Sequence, residues 1–161
     1  MENNMIKIAT SERLKGTTWD YEGKSEIVKI FISYDHQGIH FLQFLYHENG
    51  NNHLTRRPDG SSAGNKFKTV KLNYSDEFLT VISGTHSSKK GGKITSLMFT
   101  TNKNNYGPYG NTRTGDPEFS FDLGKDKTFG GFHGSNHKGG MLESFGVYVR
   151  TNEPNIDRYE K

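Results

Sequence analysis

The chain is divided into short runs in which apolar and polar residues alternate, and apolar residues hardly ever recur at helical spacing. A period of two sends successive side chains to opposite faces of an extended strand, so each run reads as a strand with one buried face. In EIVKIFISY, Ile27, Lys29 and Phe31 stand against Val28, Ile30 and Ile32; in IHFLQFLYH, Ile39, Phe41, Gln43 and Leu45 point one way. The turn residues at 35–38 join the two as a hairpin. A second turn is expected at 48–52, and a loop at 56–65, RRPDGSSAGN. KFKTVKLNY and EFLTVISGT read as a strand pair around Ser75 and Asp76, and KITSLMFTT follows. YGPYG at 106–110 reads as irregular because Pro108 cannot donate to a ladder. EFSFDLG, KTFGGFHG and SFGVYVR complete roughly ten strands, an all-β pattern of barrel, sandwich or prism in three groups of strand pairs.

Such a body needs large apolar faces, and 11 Phe, 8 Tyr and 1 Trp supply them although hydrophobic residues make up only 30%. A chain of this length buries roughly 70% of its unfolded surface as one domain. One domain over residues 1–161 is expected, with a core from about 5 to 150 and a loose tail at 151–161. The net charge of +3 comes from scattered basic residues, which argues against a nucleic-acid partner. The absence of cysteine excludes disulfides, thiolate metal sites and cysteine nucleophiles. The chain carries no apolar secretory core near its start and no run of ~18 apolar residues, so membrane insertion is not expected and a cytoplasmic or nucleocytoplasmic location is.

Tests for catalytic and metal chemistry give little. KKGGK at 89–93 fails as a phosphate loop: Ile94 stands where a hydroxyl residue should follow the lysine, and no helix follows. Histidines 36, 40, 47 and 53 cluster near one hairpin without a diagnostic ligand spacing, and read as strand or turn surface. His133 reads as an imidazole packed in a strand, His137 as a group able to touch a ligand, and Trp19 as core. No G-x-S-x-G elbow is present, and no pair of carboxylates is placed as acid and base. No cofactor and no metal are expected, and the chain does not read as an enzyme.

The segment GGFHGSNHKGGMLESFGVYV at 130–149 carries a specific order: G-F-x-G at 131–134, a polar loop, G-x-x-x-E at 139–143 and F-G-V-Y-V at 145–149. With TTNK at 100–103 running into YGPYG, LNYSDEFLTVISG at 72–84 and GTTWD at 16–20, this resembles the jacalin-related lectins, mannose-binding plant type, over nearly the whole chain. The resemblance implies a β-prism I fold, three four-stranded antiparallel Greek-key sheets with pseudo-threefold symmetry. It also implies a carbohydrate site at one end, joining an N-terminal glycine loop, matched by Gly16, to a second loop matched by Gly139, Gly140, Met141 and Glu143. Thr85, His86, Ser87, Ser88 and Lys89 match a region that shapes specificity. The implied partners are mannose- or glucose-containing glycans and glycoproteins, and the implied assembly is a homo-oligomer, dimer or tetramer.

The chemistry is suitable: a carboxylate accepts from vicinal hydroxyls while amide N–H groups donate to sugar oxygens. Glycine lets the backbone come close. Two departures from the family pattern keep a second reading open. Ser11, Glu12, Arg13, Leu14 and Lys15 precede Gly16 where the family usually has further glycines, and Glu143 replaces an aspartate, moving the carboxylate by ~1.5 Å. The alternative is a jacalin-like module in plant defence or stress that has weakened or lost sugar binding and recruits a protein partner.

Overall fold

The computed structural model describes residues 5–11, 15–89, 92–124 and 127–151; the expected tail beyond Thr151 and residues 12–14, Glu-Arg-Leu, lie outside them. Among the described residues twelve strands make three antiparallel sheets of four. The first has the order β1 (Met5–Ala9), β12 (Leu142–Arg150), β11 (Phe129–Asn136), β2 (Thr17–Glu22). The second is β5 (Asn51–Leu54), β4 (Gly38–Glu48), β3 (Ile27–Asp35), β6 (Lys66–Lys71). The third is β10 (Glu118–Asp122), β7 (Leu79–His86), β8 (Ile94–Thr101), β9 (Asn105–Gly110). Each sheet therefore has a central hairpin, β11–β12, β3–β4 or β7–β8, flanked by two strands that arrive from elsewhere in the chain. The architecture is a three-sided prism, as the resemblance implied.

Alternation aims one face of every sheet at a common axis. Phe132 and Phe145 of the first sheet, Phe44 of the second and Phe99 of the third are all within 1% of complete burial. Phe132 stacks on Phe44 at 4.8 Å between ring centroids, 6° apart in plane, and on Phe145 at 6.2 Å. This stack ties two of the three sheets together through a single ring, and removing the ring leaves a cavity between them. Phe132→Ala is therefore expected to cost about 3–5 kcal/mol, read from the urea midpoint at unchanged slope.

Three expectations are corrected. YGPYG is not irregular: it forms most of β9, because β9 is an edge strand and Pro108 can sit there without breaking a second ladder, at the cost of a register shift between Leu97 and Phe99. KFKTVK and the strand after it are not a pair, since β6 closes the second sheet while β7 opens the third. Between them Glu77 is buried and accepts the Asn73 N–H, so the 72–78 connection crosses from sheet to sheet around its own carboxylate. Ile27 does not share a face with Lys29 and Phe31: a bulge between Ile27 and Lys29 turns Ile27 inward, where it joins Ile30 and Ile32 in the core.

Candidate carbohydrate site

The tip of the prism is built where β11 hands over to β12. The chain leaves β11 at Asn136 and turns back through His137–Met141, with the His137 N–H donating to the Met141 carbonyl at 2.9 Å and the Gly140 N–H to the His137 carbonyl at 2.9 Å. Gly139 takes a φ of +63° in this turn, where a side chain would be strained. The turn delivers Glu143 beside the start of β2. Gly16 is needed there for a different reason: a Cβ on it would lie 1.9 Å from the carbonyl oxygen of Asn136, so only glycine lets the first loop lie against β11.

The expected residues Gly16 and Glu143 do meet, across 127 positions of sequence. Oε1 of Glu143 accepts the Gly16 N–H at 2.9 Å and the Ser135 hydroxyl at 2.8 Å, while Oε2 accepts the Lys15 N–H at 3.1 Å. His137 Nδ1 stands 3.7 Å from Oε2. Burial alone would raise the Glu143 pKa, but the Ser135 hydroxyl, the two N–H groups and the neighbouring His137 outweigh it and hold the carboxyl below its ordinary value. Solvent reaches only 6% of the Glu143 side chain. The carboxylate thus occupies the two amides of the first loop itself. A methylene longer than aspartate, it spans the gap that an aspartate would leave between the loops.

Asn136 fixes the tip from beneath. Fully buried, it accepts from the Trp19 indole N–H at 3.2 Å and donates to the His40 carbonyl at 2.7 Å and to the Gly140 carbonyl at 3.4 Å. Trp19 itself is half-buried and packs against the margin of the core, on Tyr21, Phe44 and Phe145. His133 is packed in its strand as expected, 6% exposed and 2.9 Å from the Ile8 carbonyl, with burial lowering its pKa.

His40 is not the surface imidazole its turn-rich surroundings implied. It is 6% exposed, with Nε2 2.8 Å from Asp35 and Nδ1 2.7 Å from the Ser62 hydroxyl. This chain has the connectivity of an acid, a base and a nucleophile, which the sequence hid because the three residues lie on a strand end, a strand and a loop. Its neighbourhood is that of a clamp: the Ser62 N–H is given to the Gly140 carbonyl at 3.0 Å. Through it the 56–65 loop is fastened to both the β3–β4 turn and the tip.

The expected specificity residues lie beside the tip with unequal roles. The Thr85 hydroxyl is buried against Thr95 and Ser96, 2.7 Å from each, and His86 packs near Phe119. Ser87 accepts the Lys89 N–H and donates its own N–H to the Lys93 carbonyl, which folds the loop back, while Ser88 and Lys89 are exposed. The contacts to the tip come from just beyond: the His137 ring lies 2.8 Å from the Gly92 carbonyl, and Lys93 Nζ 3.8 Å from the Met141 sulfur. Sequence reasoning missed Lys15, Ser135, Asn136, Gly92 and Lys93 as builders of the tip. The serine and asparagine of the GSN run held the available signal. Among the described residues no three His, Asp or Glu are placed to hold a metal ion.

The three-sided β body is shared with known proteins. The model of the jacalin-like lectin domain matches residues 12–148. The chain belongs to the jacalin-like lectin family. It is 39% identical over 145 residues to protein RESTRICTED TEV MOVEMENT 1 of Arabidopsis thaliana, covering 86% of this chain and 82% of that one. Its fold matches a single-chain recombinant jacalin at a TM-score of 0.80 and 25% identity, covering 92% of this chain and 96% of that one. It also matches a mannose-binding jacalin-related lectin from Ananas comosus at 0.76 and 26%, covering 95% and 100%. The jacalin-like lectins are non-catalytic carbohydrate-binding proteins, and this member is accordingly a binding protein and not an enzyme.

Proposed function

We propose that this jacalin-like lectin binds mannose- or glucose-type glycans at the tip formed by Lys15, Gly16, the 137–141 turn and Glu143. The single observation that carries the reading is the convergence of the Lys15 and Gly16 amides with the Glu143 carboxylate, which provides donors and an acceptor at hydrogen-bonding spacing. A carboxylate has about four acceptor positions, and the three hydrogen bonds to Glu143 leave room at Oε2 for a sugar hydroxyl once His137 moves aside. To engage the amides as well, a second hydroxyl must take the place of Oε1 at Gly16. That exchange weakens binding relative to a site whose amides are free.

A monosaccharide held at ~1 mM gains only about 4.1 kcal/mol, so useful avidity needs several sites in one assembly. The edge strand β1 leaves Ile6 53% and Ile8 39% exposed, which supports association of copies; equilibrium sedimentation of a single monomer species at micromolar concentration would contradict it. A glycan array tests the sugar reading. Mannose- or glucose-terminated glycans are expected to give signal, and Glu143→Ala to lose at least ~90% of it by removing the acceptor. Equal signals from the two proteins would take Glu143 out of the site.

The 6% exposure of the Glu143 side chain favours a second reading, in which the closed tip no longer takes sugar and the domain serves protein recognition. The relative named for restricted TEV movement, and not for a sugar, is consistent with it. A silent array for both wild type and variant, with partner capture that survives saturating mannose, is the outcome this reading expects.

A further inference from the structure

The second sheet ends in an open edge of unusual chemistry. Among the described residues β6 pairs only with β3, and no described strand ladders onto the backbone donors and acceptors of its outer side. Phe67 is 58% exposed, the most exposed large apolar residue among those described, and it stacks on the half-buried Phe31 at 6.0 Å with planes 27° apart. The ring is thus held in place for contact and not left to collapse onto the core. Val70 points inward, so Lys66 and Lys68 lie on the inner side of the strand, while Phe67, Thr69 and Lys71 lie on the outer side, with Lys71 opposite Lys29. None of these four lysines makes an ion pair among the described residues, in contrast to Lys7 and Lys24, which do.

We propose that β6 is a docking edge for an extended acidic segment of a partner protein, added as a fifth strand to the second sheet. The charges choose this occupant. A second copy of the chain pairing through β6 would set lysines against lysines, which is the usual device by which an edge repels itself. A flat anionic membrane would meet only the outer face, with Phe67, Lys71 and Lys29, and would leave Lys66 and Lys68 on the inner side without a partner. A strand lying along the edge meets both sets: its backbone completes the ladder, its acidic residues at alternate positions face Lys66 and Lys68, and an apolar residue between them packs on Phe67. Six residues, about 20 Å, span the edge. Paired on one side by β3, the strand is already extended, so docking orders only the incoming segment. This surface is separate from the sugar tip and independent of the glycan reading.

The probe is a fluorescein-labelled peptide, Thr-Glu-Val-Glu-Val-Glu-Thr, followed by anisotropy against the full chain, with the lysine-for-glutamate peptide as control. Saturable binding is expected for the acidic peptide alone, weakening by at least ~10-fold in ~1 M salt, where the screening length falls to ~3 Å. The double variant Lys66→Glu/Lys68→Glu should lose at least ~10-fold in affinity, and Phe67→Ser ~5-fold, with the melting temperature of each recorded as a check on folding. Amide shifts on the wild-type chain should centre on residues 66–71, and neither saturating methyl mannoside nor Glu143→Asp should change the affinity. No binding, binding unaffected by charge reversal in a folded variant, shifts centred elsewhere, or binding to phosphatidylserine vesicles but not to the peptide would each overturn the proposal.

Discussion

Glu143→Asp is expected to bind methyl α-mannoside about tenfold more tightly than the wild-type chain, a gain of affinity from a shortened side chain. Oε1 now sits 2.9 Å from the Gly16 nitrogen, and withdrawing it by one carbon–carbon bond, ~1.5 Å, takes it outside hydrogen-bonding range. The Gly16 and Lys15 amides are then free to donate to sugar oxygens, and a ligand no longer has to displace an internal bond worth about 1–1.5 kcal/mol net. Since 1.4 kcal/mol is a factor of ten, one such bond accounts for the expected change. Isothermal titration against wild type, Glu143→Asp and Glu143→Ala should rank them Asp over Glu over Ala. A variant no tighter than wild type would mean that the internal bonds of Glu143 do not compete with sugar.

A large stability effect that depends on pH is expected at the other end of the prism, where β7 and β9 begin and β8 ends. Glu77 is 4% exposed and accepts from the Asn73 N–H at 2.9 Å, the Thr101 hydroxyl at 2.6 Å, the Tyr106 hydroxyl at 2.8 Å and the Asn104 amide at 3.2 Å. Burial alone would raise its pKa, but the bonds from Thr101, Asn73, Tyr106 and Asn104 outweigh it and bring the value down from 4.5 to about 2. A folded-state pKa below the unfolded one adds stability above the unfolded value, and that stability is lost as pH falls through the folded value. The span from 4.5 to about 2 corresponds to about 3 kcal/mol, present at pH 5 and above and mostly gone by pH 2. Urea unfolding at pH 6 should place Glu77→Gln about 3 kcal/mol below wild type, and at pH 2 the two should nearly coincide. A deficit independent of pH would show that the loss is one of packing and not of charge.

What the sequence made legible follows from how local each cause is. β12 and most of β3 were readable because apolar residues recur every second position, Phe145, Val147 and Val149 in the one and Ile30 and Ile32 in the other, and these pack in the core. β5, NNHL, has four exposed residues and owes its existence to the hairpin that brings it to β4, so no local pattern announces it. The face of Ile27 was misread because a bulge changes the phase of alternation, and the sequence does not mark where the extra residue falls. β9 escapes the sequence pattern because proline, which breaks an inner strand, is tolerated on an edge, and nothing local marks β9 as an edge. At the tip, Gly16 and Glu143 were findable only through resemblance, since 127 positions separate them. The closure of the tip could not be read at all: whether a glutamate projects outward or turns back to the Lys15 and Gly16 amides depends on the distance between two loops, which alternation and spacing do not encode.

The most direct test of the central claim, that the Lys15–Gly16 amides and the 137–143 segment together form a glycan site gripped from within by Glu143, is an amide-resolved NMR titration of the wild-type chain with methyl α-mannoside. Saturable shifts are predicted at Lys15, Gly16, Met141 and Glu143, largest at Gly16 as its N–H passes from the carboxylate to the sugar. Shifts confined to another part of the prism, or none at sugar concentrations well above millimolar, would contradict it.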